Sequence, residues 1–212
     1  MRHADWYFDF VSPYSYLGLV RLAELPPDLV IAYRPVLFAG LLEHWGQKGP
    51  AEVPPKRRWT YRWCTWSGSR LGVPIRFPAS HPFNPLPYLR LAIAAQSTPK
   101  VIRRIFDALY STGADPAAQP TIDALLADLG LTAARVSAQD VKDTLRRNTE
   151  EAASRGVFGV PTLVIQNEIF WGADAVDFAK AFLENGSVLH NDEMRRLDTL
   201  PFGAARRAAG TP

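Results

Sequence analysis

The chain has 212 residues, with 24 lysines and arginines against 21 aspartates and glutamates, a formal net charge of +3, and 47% hydrophobic residues. This composition excludes a disordered, collagen-like or coiled-coil chain, and the length allows one large domain or two small ones. The single cysteine, Cys64, excludes an intramolecular disulfide, a cysteine-rich zinc site and a Cys-x-x-Cys redox centre.

Targeting and binding signals are weak along the whole sequence. No apolar run approaches the ~18 residues of a membrane-spanning helix, and the first residues lead straight into a strand-like segment rather than into the apolar core of a secretion signal. Arginine pairs are scattered and form no single basic stripe. With one cysteine suited to a reducing compartment, we expect a cytoplasmic protein that binds neither a membrane nor a nucleic acid.

The first 38 residues have the pattern of a β-α-β unit. Residues 6–11 are aromatic and β-branched, which is typical of a strand, and Ser12-Pro13 is a typical helix start. Pro26-Pro27 ends that helix, and residues 29–36 predict a second strand. This order favours parallel pairing of the two strands.

The middle of the chain is predicted to be helical. Apolar residues recur at helical spacing in several stretches between 40 and 155. Trp59, Trp63 and Trp66 share one helical stripe, which we interpret as a core face more readily than as the wall of a pocket. Cys64 lies inside that stripe and is expected to be buried rather than reactive.

Strands return near the end of the chain. Residues 162–165 and 169–171 predict two short strands around a turn, and Asp174 is expected to cap a last helix that ends before Gly186. The order β-α-β, helical block, β-β-α is that of an α/β thioredoxin-like fold. We predict a core from residues 1–38 and 156–190, a helical insertion domain at 39–155, and a C-terminal tail at 191–212 that is frayed from about Phe202.

The corner between the first strand and the first helix is the redox site of thioredoxin-like folds, where Cys-Pro-x-Cys is usual. Here the same spacing reads Ser12-Pro13-Tyr14-Ser15, so both thiols are replaced by hydroxyls. Thiol–disulfide exchange needs a thiolate, and we therefore predict no disulfide oxidoreductase activity. The unpaired N–H groups of a helix start still favour an anion at this corner, although an ordinary capping serine is the alternative.

Two later motifs are predicted to contribute to the same site as this corner. Val160-Pro161 precedes the third strand, and we predict a cis peptide bond there that faces Ser12, with an ordinary proline at a strand start as the alternative. Gly172-Ala173-Asp174 joins the last strand to the last helix. This segment either only caps the helix or also clamps the ammonium and carboxylate groups of a ligand.

Taken together, the motifs Ser-Pro-Tyr-Ser-Tyr-Leu-Gly at 12–18, Gly-Val-Pro-Thr at 159–162 and Phe-Trp-Gly-Ala-Asp at 170–174 resemble one family. It is the family of kappa-class glutathione transferases and 2-hydroxychromene-2-carboxylate isomerases. The resemblance covers most of the chain to about Leu183. It implies a thioredoxin-like core of the DsbA type with a large helical insertion, glutathione as the cofactor, and a homodimer.

The resemblance also implies roles for single residues. Ser12 resembles the catalytic serine that hydrogen-bonds the glutathione sulfur. No metal is predicted, because the four histidines share no metal-ligand spacing. The residues implied to bind glutathione are Ser12, Val160, Pro161, Trp171, Gly172, Ala173 and Asp174. The residues predicted to bind the second substrate are Gln47, Lys56, Arg57 and Asn84. Arg57 is included because an aromatic wall of the tryptophan stripe near Lys56 and Arg57 would suit a flat aromatic carboxylate. Gln47 stands near where the family often has asparagine.

The implied activity is a glutathione-dependent isomerisation of aromatic carboxylates such as 2-hydroxychromene-2-carboxylate. A serine suits this activity because a cysteine at position 12 would form a mixed disulfide with glutathione. A kappa-type transferase that consumes glutathione is the first alternative, and a glutathione-binding or chaperone-like module without turnover is the second. Net consumption of glutathione separates the two enzymes.

Overall fold

A mixed sheet organises the fold. Within residues 1–204, which this computed structural model describes, four strands pair in the order β2-β1-β3-β4. β1 runs parallel to β2 and antiparallel to β3, which is antiparallel to β4. The parallel first pair agrees with the predicted β-α-β unit. The strands are β1 (Arg2–Phe8), β2 (Leu29–Pro35), β3 (Thr162–Ile165) and β4 (Glu168–Trp171).

Helices surround this sheet. The helix α1 joins β1 to β2, the helices α2 to α8 lie between β2 and β3 as the predicted insertion, and α9 and α10 follow β4. Their bounds are α1 (Pro13–Arg21), α2 (Phe38–His44), α3 (Pro54–Arg70), α4 (Leu86–Ala94), α5 (Pro99–Tyr110), α6 (Gln119–Asp128), α7 (Ala133–Val136), α8 (Gln139–Ser154), α9 (Val176–Glu184) and α10 (Asp192–Leu197). Short 3₁₀ turns occupy Leu22–Glu24, Pro50–Glu52 and Gly186–Leu189.

The core lies on both faces of the sheet because alternate residues of a strand point to opposite sides. Trp6 and Phe8 belong to the larger hydrophobic cluster, whereas Tyr7 belongs to a smaller one on the other side. The larger cluster joins the sheet to the insertion through Phe106 of α5, whose ring centre lies 4.7 Å from that of Phe10. The insertion is therefore packed against the end of β1.

The predicted bounds of the first strand were wrong at its end. β1 stops at Phe8, and Asp9, Phe10 and Val11 form a turn. The Asp9 carboxylate accepts a hydrogen bond of 2.9 Å from the Val11 N–H, and the Asp9 carbonyl accepts one of 3.1 Å from the Ser12 N–H. These bonds bend the chain back on itself, so the strand ladder cannot continue into α1.

The interpretation of the tryptophan stripe as a core face was also wrong. Trp59 and Trp66 are 65% and 59% exposed, and only Trp63 is half-buried. The buried residues of α3 are Thr60, Cys64 and Gly68. A Cβ on Gly68 would lie 2.5 Å from the Val73 carbonyl oxygen, so α3 makes its close contacts through a small-residue face and leaves two indoles outside. Cys64 is buried as expected, and burial raises the pKa of its thiol.

The last described helix lies before the segment from about Phe202 that is expected to be frayed. α10 lies within the predicted tail at 191–212, and residues 201–204 follow it without regular structure. The rest of the expected frayed segment, residues 205–212, lies outside the described residues. Among residues 1–204, no helix is both long enough and apolar enough to cross a membrane.

Candidate functional site

Ser12 lies at the first corner of the fold, immediately before α1. It is the N-cap of that helix, where its hydroxyl oxygen accepts a hydrogen bond of 3.2 Å from the Ser15 N–H. Its hydroxyl proton points to the Val160 carbonyl oxygen over 3.4 Å, which is long for an O–H···O bond. Ser12 therefore keeps a weakly engaged donor at the positive end of a helix.

The Val160–Pro161 peptide bond is cis and faces Ser12, which confirms both parts of the prediction for this segment. α1 approaches it closely because Gly18 has no side chain. A Cβ on Gly18 would lie 3.0 Å from Cγ of Pro161. The glycine thus allows the first helix and the loop before β3 to form one corner.

The connection from β4 to α9 joins the same corner. The Gly172 N–H donates to the Pro161 carbonyl oxygen over 2.9 Å, and Gly172 has a φ of +104°, which favours glycine. Ala173 is buried, and its carbonyl oxygen accepts a bond of 3.1 Å from Arg21. Ser12, Val160, Pro161 and Gly172 are therefore linked by direct contacts.

Asp174 does not cap α9, and that prediction was wrong. The helix begins at Val176, its N-cap residue is Ala175, and no side-chain hydrogen bond caps it. The Asp174 carboxylate turns back instead, so that a Cβ on Gly172 would lie 2.5 Å from one of its oxygens. Asp174 is exposed, and its carboxylate forms no ion pair within residues 1–204.

Trp171 lies over the loop that leads into the cis peptide. Its ring is 55% exposed and meets the Phe158 ring edge-on, with 5.0 Å between the centroids. The indole nitrogen would lie 2.6 Å from a Cβ on Gly159, so glycine at that position permits the indole to cover the loop. The Trp171 side chain thus forms an exposed aromatic surface one residue from Gly172.

The four residues predicted to bind a second substrate all lie in the insertion, and all four are exposed. Gln47 follows α2, Lys56 and Arg57 lie in the first turn of α3, and Asn84 precedes α4. The Asn84 side chain accepts a bond of 3.1 Å from the Leu86 N–H. None of the four side chains bonds to Ser12 among the described residues. Their substrate-binding roles stay predictions.

Three further side chains hold the turn before Ser12, and the sequence reasoning missed all of them. Asp9 accepts bonds from the N–H groups of Val11 and of Phe38, the latter over 2.8 Å. The Tyr110 hydroxyl donates to the Phe10 carbonyl oxygen over 3.0 Å, and the His81 Nε2 lies 2.7 Å from the Val11 carbonyl oxygen.

Only Asp9 gives a local signal, as a lone acidic residue between the aromatic residues Phe8 and Phe10. It is completely buried, and burial raises the pKa of its carboxyl to about 7 although backbone donors oppose the shift. His81 and Tyr110 have no comparable signal, because they contact residues 70 and 100 positions away.

A DSBA-like thioredoxin domain matches residues 4–184 of the chain. The chain belongs to the DsbA-like thioredoxin family. It is 31% identical over 188 residues to a 2-hydroxychromene-2-carboxylate isomerase of Sphingobium xenophagum, covering 84% of this chain and 96% of that relative. It is 26% identical to glutathione S-transferase kappa 2 of Caenorhabditis elegans, covering 76% of this chain and 79% of that one. Within its family, the chain thus groups with these isomerases and kappa-class transferases.

A solved structure extends this agreement to the fold. The structure of a selenomethionine-labelled 2-hydroxychromene-2-carboxylate isomerase superposes with a TM-score of 0.74 at 23% identity, covering 94% of this chain and 100% of that chain. The overlap includes the insertion as well as the sheet. The DsbA-like fold with a helical insertion, expected from the resemblance, is confirmed.

Proposed function

We propose that this protein is a glutathione-dependent isomerase of aromatic carboxylates of the 2-hydroxychromene-2-carboxylate type. The observation that carries the proposal is the weakly engaged Ser12 hydroxyl at the start of α1, 3.4 Å from the carbonyl oxygen of the cis peptide. The names of the isomerase relatives support the choice of substrate class. Ser12 is the residue that we assign to catalysis.

The corner fits a peptide that carries a thiol. The Ser12 hydroxyl oxygen already accepts from Ser15, so its proton is free to turn from Val160 toward a sulfur. The Val160 backbone lies beside it and would pair with the cysteinyl unit of glutathione, next to Pro161. The Asp174 carboxylate, which caps no helix, would meet the ammonium group of the γ-glutamyl unit, with Trp171, Gly172 and Ala173 beside it.

The electrostatics of this corner favour a thiolate. A free thiol titrates near ~8.5, so little of it is ionised at neutral pH. A hydrogen bond to a charged group contributes roughly 1.5–3 kcal/mol, and a helix start adds about 0.3–1 kcal/mol. Together, Ser12 and α1 would lower the pKa of a bound thiol by about 1.5–3 units, so that half or more of the thiol is ionised at pH 7.

Bound glutathione would supply a thiolate for reversible addition to the conjugated double bond of the ring-opened substrate, in which the hemiketal C–O bond has broken to a phenol and a ketone. Rotation about the resulting single bond and elimination would then return the thiolate unconsumed. Ser12 would hold the sulfur charge before addition and after elimination. Lys56 and Arg57, in the exposed first turn of α3, would hold the substrate carboxylate. Gln47 and Asn84 would bind other polar groups of the substrate.

The kappa-class relatives make a conjugating transferase the second candidate. Incubation of the purified protein with glutathione and either chromene carboxylates or halogenated aromatics separates the two. An isomerase converts the chromene carboxylate while total free glutathione stays constant, whereas a transferase consumes one glutathione for each product. Glutathione binding without turnover of either substrate class would indicate the binding or chaperone-like module instead.

We further propose that the protein works as a homodimer in the cytoplasm. The family resemblance supports the dimer, and the single buried cysteine suits a reducing compartment. Light scattering on the purified protein tests the dimer, because the 23.6 kDa chain would give twice that mass.

A further inference from the structure

The peptide that connects Val11 to Ser12 is held at both of its polar groups. Its N–H, which belongs to Ser12, donates to the Asp9 carbonyl oxygen over 3.1 Å. Its carbonyl oxygen, which belongs to Val11, lies 2.7 Å from Nε2 of His81. The plane of this peptide sets the direction from which the Ser12 side chain leaves the backbone, so both contacts bear on where the hydroxyl lies.

The chemistry of the His81 contact fixes the position of a proton. A carbonyl oxygen has no proton to give, so Nε2 of His81 must carry the hydrogen that joins it to Val11. The other ring nitrogen, Nδ1, lies 2.7 Å from the Tyr61 hydroxyl, which also lies 2.9 Å from the His81 carbonyl oxygen. Burial lowers the pKa of His81 although the hydrogen bond to Val11 opposes the shift, and the Arg57 charge adds to the lowering. The ring is then neutral at pH 7, with Nδ1 as an acceptor beside the Tyr61 hydroxyl, whose single proton is shared between Nδ1 and the His81 carbonyl oxygen.

Aromatic rings hold the His81 ring in this orientation. The rings of Tyr61, Phe77, Phe83 and Tyr110 meet it edge-on, with centroid distances of 5.1, 5.5, 5.9 and 6.3 Å. Tyr110 also donates to the Phe10 carbonyl oxygen, next to the carbonyl that His81 holds. The insertion therefore holds two successive carbonyl groups of the turn that leads to Ser12.

We propose that His81 is a positioning residue for Ser12, and that Tyr61 helps to hold the His81 ring in the orientation from which it donates to Val11. This proposal rests on the proposed function, in which the Ser12 hydroxyl must meet a sulfur. Asp9 closes the turn through the N–H groups of Val11 and Ser12, so the turn does not depend on His81 to form. His81 fixes the orientation of the Val11 carbonyl group, and thereby the direction in which the Ser12 hydroxyl points.

The position of the Ser12 hydroxyl relative to the sulfur determines the pKa of the thiol in bound glutathione. This pKa is measured from the ultraviolet absorbance of the thiolate as a function of pH. His81→Leu removes the donor and should raise the bound thiol pKa by about half to one unit, which corresponds to one neutral hydrogen bond. His81→Gln keeps an N–H donor and should restore most of the shift. Thr65→Ala removes an exposed hydrogen bond to the Tyr61 carbonyl oxygen without touching His81 or Val11, and it should leave the pKa unchanged.

A second measurement needs no ligand. Nitrogen NMR of the imidazole in the free protein should show the proton on Nε2, and Tyr61→Phe should keep it there, because the Val11 carbonyl oxygen still accepts a hydrogen bond only from a protonated Nε2. A wild-type spectrum with the proton on Nδ1, or a His81→Leu protein with the wild-type thiol pKa, would overturn the proposal. If wild-type protein fails to lower the thiol pKa at all, the proposed function is wrong, and the imidazole spectra alone then decide whether His81 donates to Val11.

Discussion

The corner at Ser12 and the first turns of α3 are built in opposite ways. At the corner, the turn, the cis peptide and the β4–α9 connection are closed by hydrogen bonds, and Ser12 and Val160 are buried. On α3, Lys56 and Arg57 are exposed, and the Trp59 indole is mostly in solvent. A preformed corner suits one fixed partner such as glutathione, whereas an open surface tolerates variable ones. Substitutions at the corner should therefore change the stability or the catalytic rate strongly, whereas substitutions on α3 should change the KM only slightly.

The largest effect is expected at Asp9, whose carboxyl has its pKa raised by burial to about 7. The unfolded chain releases this proton near pH 4 while the folded protein keeps it to about pH 7. The free energy of unfolding should therefore fall as the pH rises through this window, by up to about 4 kcal/mol from this group alone.

Asp9→Asn cannot titrate and should lose that component of the pH dependence. Denaturant unfolding of both proteins at pH 4.5 and 7.5 measures it, since every other group titrates alike in the two. The free energy of unfolding of Asp9→Asn should increase relative to that of the wild type as the pH rises. Parallel pH profiles would show that Asp9 is ionised throughout the window.

Ser12→Ala should reduce the isomerisation rate by about 10- to 150-fold at neutral pH, because a donor to the thiolate is worth roughly 1.5–3 kcal/mol. Affinity for glutathione should change less, since Ser12 would meet only the sulfur. Part of the rate should return at higher pH, where the thiol ionises without help. A pH–rate profile combined with calorimetry checks this. Full activity at pH 7 would place the catalytic donor elsewhere in the corner.

Ser15→Ala is the matched control, and it should stabilise the protein. The Ser15 hydroxyl is completely buried and has no hydrogen-bond partner among the described residues. A buried unpaired polar group costs about 1–3 kcal/mol, so its removal should raise the free energy of unfolding by roughly 1 kcal/mol after the loss of packing. The thiol pKa of bound glutathione should not change. A rise in that pKa would mean that Ser15 also contacts the sulfur.

The sequence predicted the corner better than it predicted α3. Ser12, Val160 and Gly172 lie at the ends of strands and helices, where short motifs determine the backbone and the strand order brings these ends together. The face of α3 that packs depends on how closely the later chain approaches Gly68, which no periodicity of Trp59 and Trp66 reveals.

Contacts between distant residues explain the other misses. The contact of His81 with Val11 joins a loop of the insertion to a turn of the core. The bond from Phe38 to Asp9 likewise spans 29 positions. Even the local prediction for Asp174 failed, because α9 begins two residues later and the carboxylate turns toward Gly172.

The smallest effects are expected on α3. Lys56→Gln and Arg57→Gln should each raise the KM for an aromatic carboxylate by about 1.5- to 5-fold, since an exposed ion pair is worth 0.2–1 kcal/mol. Neither change should lower the saturated rate much, because a contact equally strong in the ground state and the transition state affects only KM.

Arg58→Gln, at the exposed residue that follows Arg57, is the control and should leave KM unchanged. Steady-state kinetics at low and high salt check the assignment, because salt screens exposed charges and should reduce the difference between wild type and variant. If all three variants behave alike, Lys56 and Arg57 do not bind the carboxylate. The open substrate surface then lies at another basic residue of the insertion and not on α3.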